Sequence, residues 1–219
     1  MPTTRCAKWA PFSASATPVS GTRSKKRATR VKKNIAYRER DELDRWFFAR
    51  ELERLMLTRP VYFMDESGID HRLYRREAWA LRGEVVTARV SGSRRGRTSV
   101  IGAWHQGSFL APMVLEGSCD RHVMDAYFRD ILLPELSSGS VVVLDNASFH
   151  HASGAEALAR KKGVELLYLP SYSPDFNPIE HFWSRLKTYL SGLLQDAKDV
   201  FQIVCEACNH FCKKCTNVK

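Results

Sequence analysis

Val141-Val142-Val143-Leu144-Asp145 is an unbroken aliphatic run closed by a carboxylate. Four consecutive apolar residues do not alternate, so they predict a short strand buried on both faces. Val61-Tyr62-Phe63-Met64-Asp65 repeats the pattern upstream. Working outward from Asp145, 152–162 predicts a helix ended by Gly163, and 164–169 a strand. A turn region with three prolines spans 169–178, a helix runs from about 178 to 194, and a last amphipathic stretch covers 197–214. Before Asp65, helical spacing covers 37–57 and stops at Pro60. Gly68 marks a turn, and 78–81 and 85–90 are short strand candidates. Two β-rich runs, 98–104 and 108–116, are joined at His105-Gln106-Gly107 as a hairpin; 123–133 predicts a helix stopped by Pro134. Early strands followed by alternating β and α segments give an α/β fold, a mixed sheet flanked by helices.

In such sheets ligands sit off the carboxyl ends of strands, where Asp65 and Asp145 are expected. Glu180 opens the helix after the proline-rich turn. Two strand-end aspartates and a helical glutamate suit hard divalent cations, which take several oxygen ligands. A metal pair about 3.5–4 Å apart can clamp the attacking and leaving oxygens of a phosphodiester. Each acid also has a structural explanation. Asp65 and Asp145 fit turn aspartates, and Asp145 fits an N-cap. With Asn177 as N-cap and Pro178 as first helical residue, Glu180 falls where a capping-box glutamate belongs.

The chain's 219 residues carry a net charge of +10, all of it in the first 40 positions, which hold eleven Lys or Arg and one acid. The remainder is balanced. Residues 1–36, without periodicity, read as a basic flexible arm suited to a polyanion, most often nucleic acid. No apolar run approaches the ~20 residues of a membrane span, and no secretory signal is visible, so a cytoplasmic location is expected. Cys205, Cys208, Cys212 and Cys215 superficially suggest zinc. Only three residues separate the two pairs, and the spacing is that of a helical stripe, so zinc is not expected there.

Asp145 and Glu180 are separated by 34 residues. Together with LPSYSPDFNPIEHFW (169–183), VVLDNASFH (142–150), MDESG (64–68) and Ala103-Trp104-His105, this spacing resembles the DDE transposases of the insertion sequence 630 branch of the Tc/mariner superfamily. The resemblance covers roughly 31–195. It implies an RNase H-like fold over 37–195, preceded by the arm and followed by a helical tail at 196–219. It also implies two Mg²⁺ or Mn²⁺ ions, with Asp65 bridging both and Asp145 and Glu180 each completing one. The implied reaction is cleavage at transposon ends, then attack of the freed 3′-hydroxyl on target DNA, with no covalent enzyme intermediate. The implied partners are DNA and a second copy of the chain on DNA, in a bacterial cytoplasm or nucleoid.

Around the triad, Asn146 and His150 follow Asp145 closely, and His150 can orient a ligand or touch phosphate. Lys187 lies two turns beyond Glu180 on the same helical face. Arg94, Arg95 and Arg97 form a basic loop suited to DNA backbone, as do Lys25, Lys26, Arg27, Arg30, Lys32 and Lys33 in the arm. Tyr172, Phe176 and Trp183 read as loop anchors and core. Family members carry an N-terminal helix-turn-helix region, whereas the residues before about 30 show no such helices. The expectation is therefore a catalytic half of a split-frame element, working with a separate helix-turn-helix chain, or a truncated copy. A catalytically idle DNA-binding remnant and a stand-alone RNase H-like nuclease are the alternatives.

Overall fold

The strands β1 (Val61–Asp70), β2 (Arg97–His105), β3 (Ser108–Glu116), β4 (Val141–Leu144) and β5 (Glu165–Tyr168) form one sheet in the order β3-β2-β1-β4-β5. The computed structural model describes residues 38–70, 73, 80–85, 87, 96–145, 153–194, 197 and 199–212. β1 is antiparallel to β2 and β2 to β3, whereas β4 runs parallel to both β1 and β5. The β2–β3 hairpin closes on Gln106 and Gly107 at φ 46° and 81°, the left-handed pair that a two-residue turn requires. β4 is buried along its whole length, as its unbroken aliphatic run demands.

Strand alternation sends even-numbered residues of β1 and β4 to one face and odd-numbered ones to the other. Met64, Val142 and Leu144 pack with Met124, Tyr127, Phe128 and Leu132, which come from α2 (Arg121–Tyr127) and the π-helical segment Phe128–Leu132 behind it. Ala155 and Ala159 of α4 (Ser153–Lys162) complete that layer. On the opposite face, Val61, Phe63, Val141 and Val143 are covered by Phe48, Leu52 and Leu55 of α1 (Glu42–Thr58). Further along that face, Ile69, Val100 and Phe109 meet Ile179, Phe182, Trp183 and Leu186. These belong to the next helices, a single turn α3 (Leu133–Glu135) having closed the π segment: α5 (Ile179–Leu190), with α6 (Val200–Phe211) beside it. Cys208 of α6 lies in this core and Cys212 is buried after it, packing as small apolar groups. Cys215 lies outside the described residues. No helix among the described residues is long and apolar enough to cross a membrane.

Several expectations need correction. β1 does not end at Asp65 and Gly68 is not a turn: antiparallel pairing with β2 from Phe63↔Trp104 to Asp70↔Arg97 carries the strand five residues further. Pro134 does not stop a regular helix. The chain has already widened into a π turn, and Pro134 sits in the first turn of α3, where its missing N–H costs nothing. α5 ends at Leu190 rather than 194, in successive turns. Ala80, Leu81, Val85 and Thr87 are not in strands; the rest of those two segments lies outside the described residues. Arg97 opens β2 instead of sitting in a loop, and its guanidinium is 3.2 Å from Glu66.

Candidate active site

Asp65 and Asp145 meet through register. β1 pairs with β4 from Val61↔Val141 to Phe63↔Val143, and the same offset carried on two residues sets Asp65 beside Asp145. Both are odd-numbered, so both face the α1/α5 side. α1 covers that face up to Phe63 and Val143, and α5 resumes from Ile69 and Val100. The two aspartates occupy the interval between these footprints. Glu180, exposed in the first turn of α5, enters from the far side. Asp65, Asp145 and Glu180 thereby line one cleft of about 430 Å³, with Asn177 and the 169–174 loop as its wall.

Asp65 is held on both oxygens. Oδ1 accepts the backbone N–H of Glu66 at 2.8 Å, and Oδ2 accepts the indole N–H of Trp183 at 3.0 Å. Burial pushes the Asp65 carboxyl up to about 7. The Glu180 and Asp145 carboxylates push the same way, against the two N–H donors. Three acids sharing one cleft repel one another. Among the described residues, no three Asp, Glu, His or Cys side chains converge closely enough to hold an ion as they stand.

The donor set fits a hard divalent cation nonetheless. All three groups offer oxygen, which suits Mg²⁺ or Mn²⁺. Asn177 supports the fit, with a correction. It does not cap α5: Pro178 stands at the cap position with no side-chain cap bond. Asn177 Oδ1 is instead buried without a hydrogen-bond partner while its residue lines the cleft. A buried acceptor so placed has a use for a cation or its water. Glu180 is thus not part of a capping box with Asn177.

The loop wall is clamped to the start of α1. Arg40 donates to the Tyr172 carbonyl at 2.9 Å and pairs with Asp175 at 2.5 Å. Arg45 reaches Ser173 Oγ and Asp175 Oδ2, each at 2.7 Å, and lies 4.5 Å over the Phe176 ring. The Arg45 hydrogen bond holds the Asp175 carboxyl below its usual range. Arg40 therefore contributes to the body and not to a free basic arm. Tyr172 is not a buried anchor: it is 49% exposed at φ 56°. Phe176 packs on Phe48 with ring centroids 5.3 Å apart, as expected of an anchor.

Of the other expected residues, Lys187 is half-buried in the last turn of α5 and does not line the cleft. Arg97, level with Asp70, stands five residues along β1 from Asp65, roughly 17 Å away at strand rise. Asn146, His150, Arg94, Arg95, Lys25, Lys26, Arg27, Arg30, Lys32 and Lys33 lie outside the described residues. Two contributions were not foreseen: the Trp183 indole on Asp65, and the Arg40/Arg45 clamp. The first was signalled by Trp183 standing one helical turn from Glu180. The second left no local trace.

Comparison with known proteins agrees with this architecture. Residues 60–201 match the family described as DDE superfamily endonuclease. The Tcb1 transposase of Caenorhabditis briggsae is 31% identical over 102 residues, 45% of this chain and 37% of that protein. The Tc1 transposase of Caenorhabditis elegans is 33% identical over 72 residues, 33% of this chain and 26% of that protein. The chain thus spans well under half the length of these relatives. A Mos1 pre-cleavage transpososome superposes with a TM-score of 0.56 at 15% identity, covering 85% of this chain and 66% of that one. A Mos1 paired-end complex with Mn superposes at 0.55 and 16%, covering 85% and 64%. Likeness at this identity speaks for the fold, which is RNase H-like. With 142 of its 219 residues inside the family match, the chain belongs to the DDE superfamily endonucleases.

Proposed function

We propose that this chain cuts DNA at transposon ends and joins the freed strand to target DNA, with Asp65, Asp145 and Glu180 as its catalytic carboxylates. The observation that carries the reading is that three acids from three separate elements line one cleft in a member of this family. Two Mg²⁺ or Mn²⁺ ions, when bound, supply the Lewis acidity for attack at a phosphodiester. Asp65 would serve both ions, and Asp145 and Glu180 one each. Each of these carboxylates must be ionised to do so, which couples cation binding to proton release from Asp65. The buried Asn177 Oδ1 would accept from water at the site. The clamped 169–177 loop keeps one wall of the cleft fixed against the DNA.

The partners in this reading are transposon-end and target DNA and a second copy of the chain on that DNA. Solved structures of like fold include Mos1 paired-end complexes with a transposon end, with Mn and with Mg. The basic residues of the first 36 positions would hold the DNA backbone.

The test is incubation with Mg²⁺ and a duplex carrying the element's terminal repeats, with Asp145→Ala as control. The expected products are nicked and joined strands, with the variant slower by about 10³-fold or more at unchanged DNA affinity. Cleavage by the variant at the wild-type rate overturns the assignment. DNA retention without nicking by the wild type returns the chain to an idle DNA-binding remnant.

A further inference from the structure

Trp183 has the burial of a core residue, 2% exposed, but core packing does not account for where its N–H goes. A buried indole N–H needs an acceptor. Here it takes Asp65 Oδ2, across 118 residues of sequence. The Asp65 carboxylate thereby has one donor on each oxygen, which fixes the plane of the group about its Cβ–Cγ bond. The remaining lone pairs stay available toward the cleft.

The indole is itself fixed. Its ring meets Phe109 edge-on at 5.6 Å and Phe182 at 5.2 Å, and Phe109 stacks on Phe182 at 4.1 Å. Phe109 can lie there because the β2 residue paired with Asp65 is Gly102, and a Cβ at Gly102 would run into the Phe109 ring. Gly102, Phe109, Trp183 and Asp65 form a closed circuit around the carboxylate. Trp183 also lies one turn beyond Glu180 on α5, so a single helical turn carries Glu180 and holds Asp65.

We propose that Trp183 is a positioning residue: its indole N–H sets the Asp65 carboxylate in the orientation that cation binding needs and couples it to the helix turn bearing Glu180. This rests on the reading of Asp65 as a catalytic carboxylate. Hydrogen-bond partners that orient metal-binding groups are typically worth 10- to 100-fold in metal affinity or activity.

Two measurements decide it. In ¹⁵N-indole-labelled full-length protein, the Trp183 resonance, identified by its through-space coupling to Phe109, is expected to shift in Asp65→Asn and during Mg²⁺ titration. In Trp183→Phe, which keeps an aromatic ring and removes the donor, Mn²⁺ affinity read by electron paramagnetic resonance is expected to fall about tenfold. Cleavage kcat should fall 10- to 100-fold, with KM for DNA nearly unchanged. Mn²⁺ affinity and kcat within twofold of wild type, or an indole resonance blind to Asp65→Asn, overturns the proposal. Should Trp183→Phe fail to fold, the indole resonance compared between the wild type and Asp65→Asn decides. A wild type that binds Mn²⁺ without cutting DNA removes the proposed function, while the Mn²⁺ comparison still decides the role of Trp183. A wild type that binds no Mn²⁺ removes both.

Discussion

Gly102 illustrates how much depends on a side chain that is not there. Its place opposite Asp65 is taken by the Phe109 ring, which cannot retreat because it is stacked on Phe182. Gly102→Ala should therefore overpack the core and cost about 1–3 kcal/mol, read by urea unfolding; a cost below about 0.5 kcal/mol would contradict the packing. Asp65 carries the opposite trade. It is a half-buried acid with two like charges beside it. Asp65→Asn should abolish cleavage yet raise Tm in metal-free buffer by about 2–4 °C, the shift expected for roughly 1 kcal/mol in a chain of this size. Added Mg²⁺ should then stabilise the wild type more than the variant. At this scale the meeting of the three acids in one cleft was legible because each adjoins a clear pattern: an apolar run, or a proline before an amphipathic helix. The roles of Trp183 and Asn177 were not. An indole in an amphipathic stripe reads as core, and an asparagine before proline reads as a cap; only tertiary placement shows where the N–H and the Oδ1 go.

Among the elements, the 169–177 loop departs most from what local sequence can say. Pro170 and Pro174 mark it as a turn, but its position is set by Arg40 and Arg45, about 130 residues away. Asp175 has its pKa lowered in the folded state, chiefly by the Arg45 hydrogen bond. The contribution is therefore present above the ordinary carboxylate pKa of about 4, and is lost as pH falls through the lowered value. Asp175 is partly exposed, so the pair is expected to be worth less than about 1 kcal/mol. Arg45→Met should flatten the acid limb of a stability–pH curve between about pH 5 and 2, and should slow cleavage by loosening the cleft wall. An unchanged acid limb would mean the clamp is idle. The length of β1 was hidden for a similar reason. Glu66, Ser67 and Gly68 have poor strand character alone, and β2 holds them in the sheet by pairing. The β2–β3 hairpin, by contrast, was readable because Gln106-Gly107 supplies its own turn chemistry.

For the whole molecule, charge and sheet order lead to separate consequences. Nine of the Lys and Arg residues lie in the first 36 positions, while the chain beyond residue 40 is neutral. Removing those 36 residues should weaken DNA binding and flatten its dependence on salt, by a log–log slope of about 0.9 for each phosphate the chain no longer neutralises. An unchanged slope would assign DNA binding to the body. The strand order β3-β2-β1-β4-β5 was only partly legible. Alternating segments gave a mixed sheet with covering helices, but nothing local told β1 that its parallel neighbour lies some 80 residues on. That arrangement also sets a schedule. As the chain leaves the ribosome, β1, β2 and β3 can pair at once, because they are consecutive and antiparallel. Asp65 then waits without a neighbour until β4 is made, and without its indole donor until α5 follows. A nascent chain therefore holds a sheet before it holds all three of the proposed catalytic acids. If the three acids act as proposed, a copy whose synthesis stops between β5 and residue 180 holds every strand of the sheet but lacks the third acid, and is expected not to cut DNA.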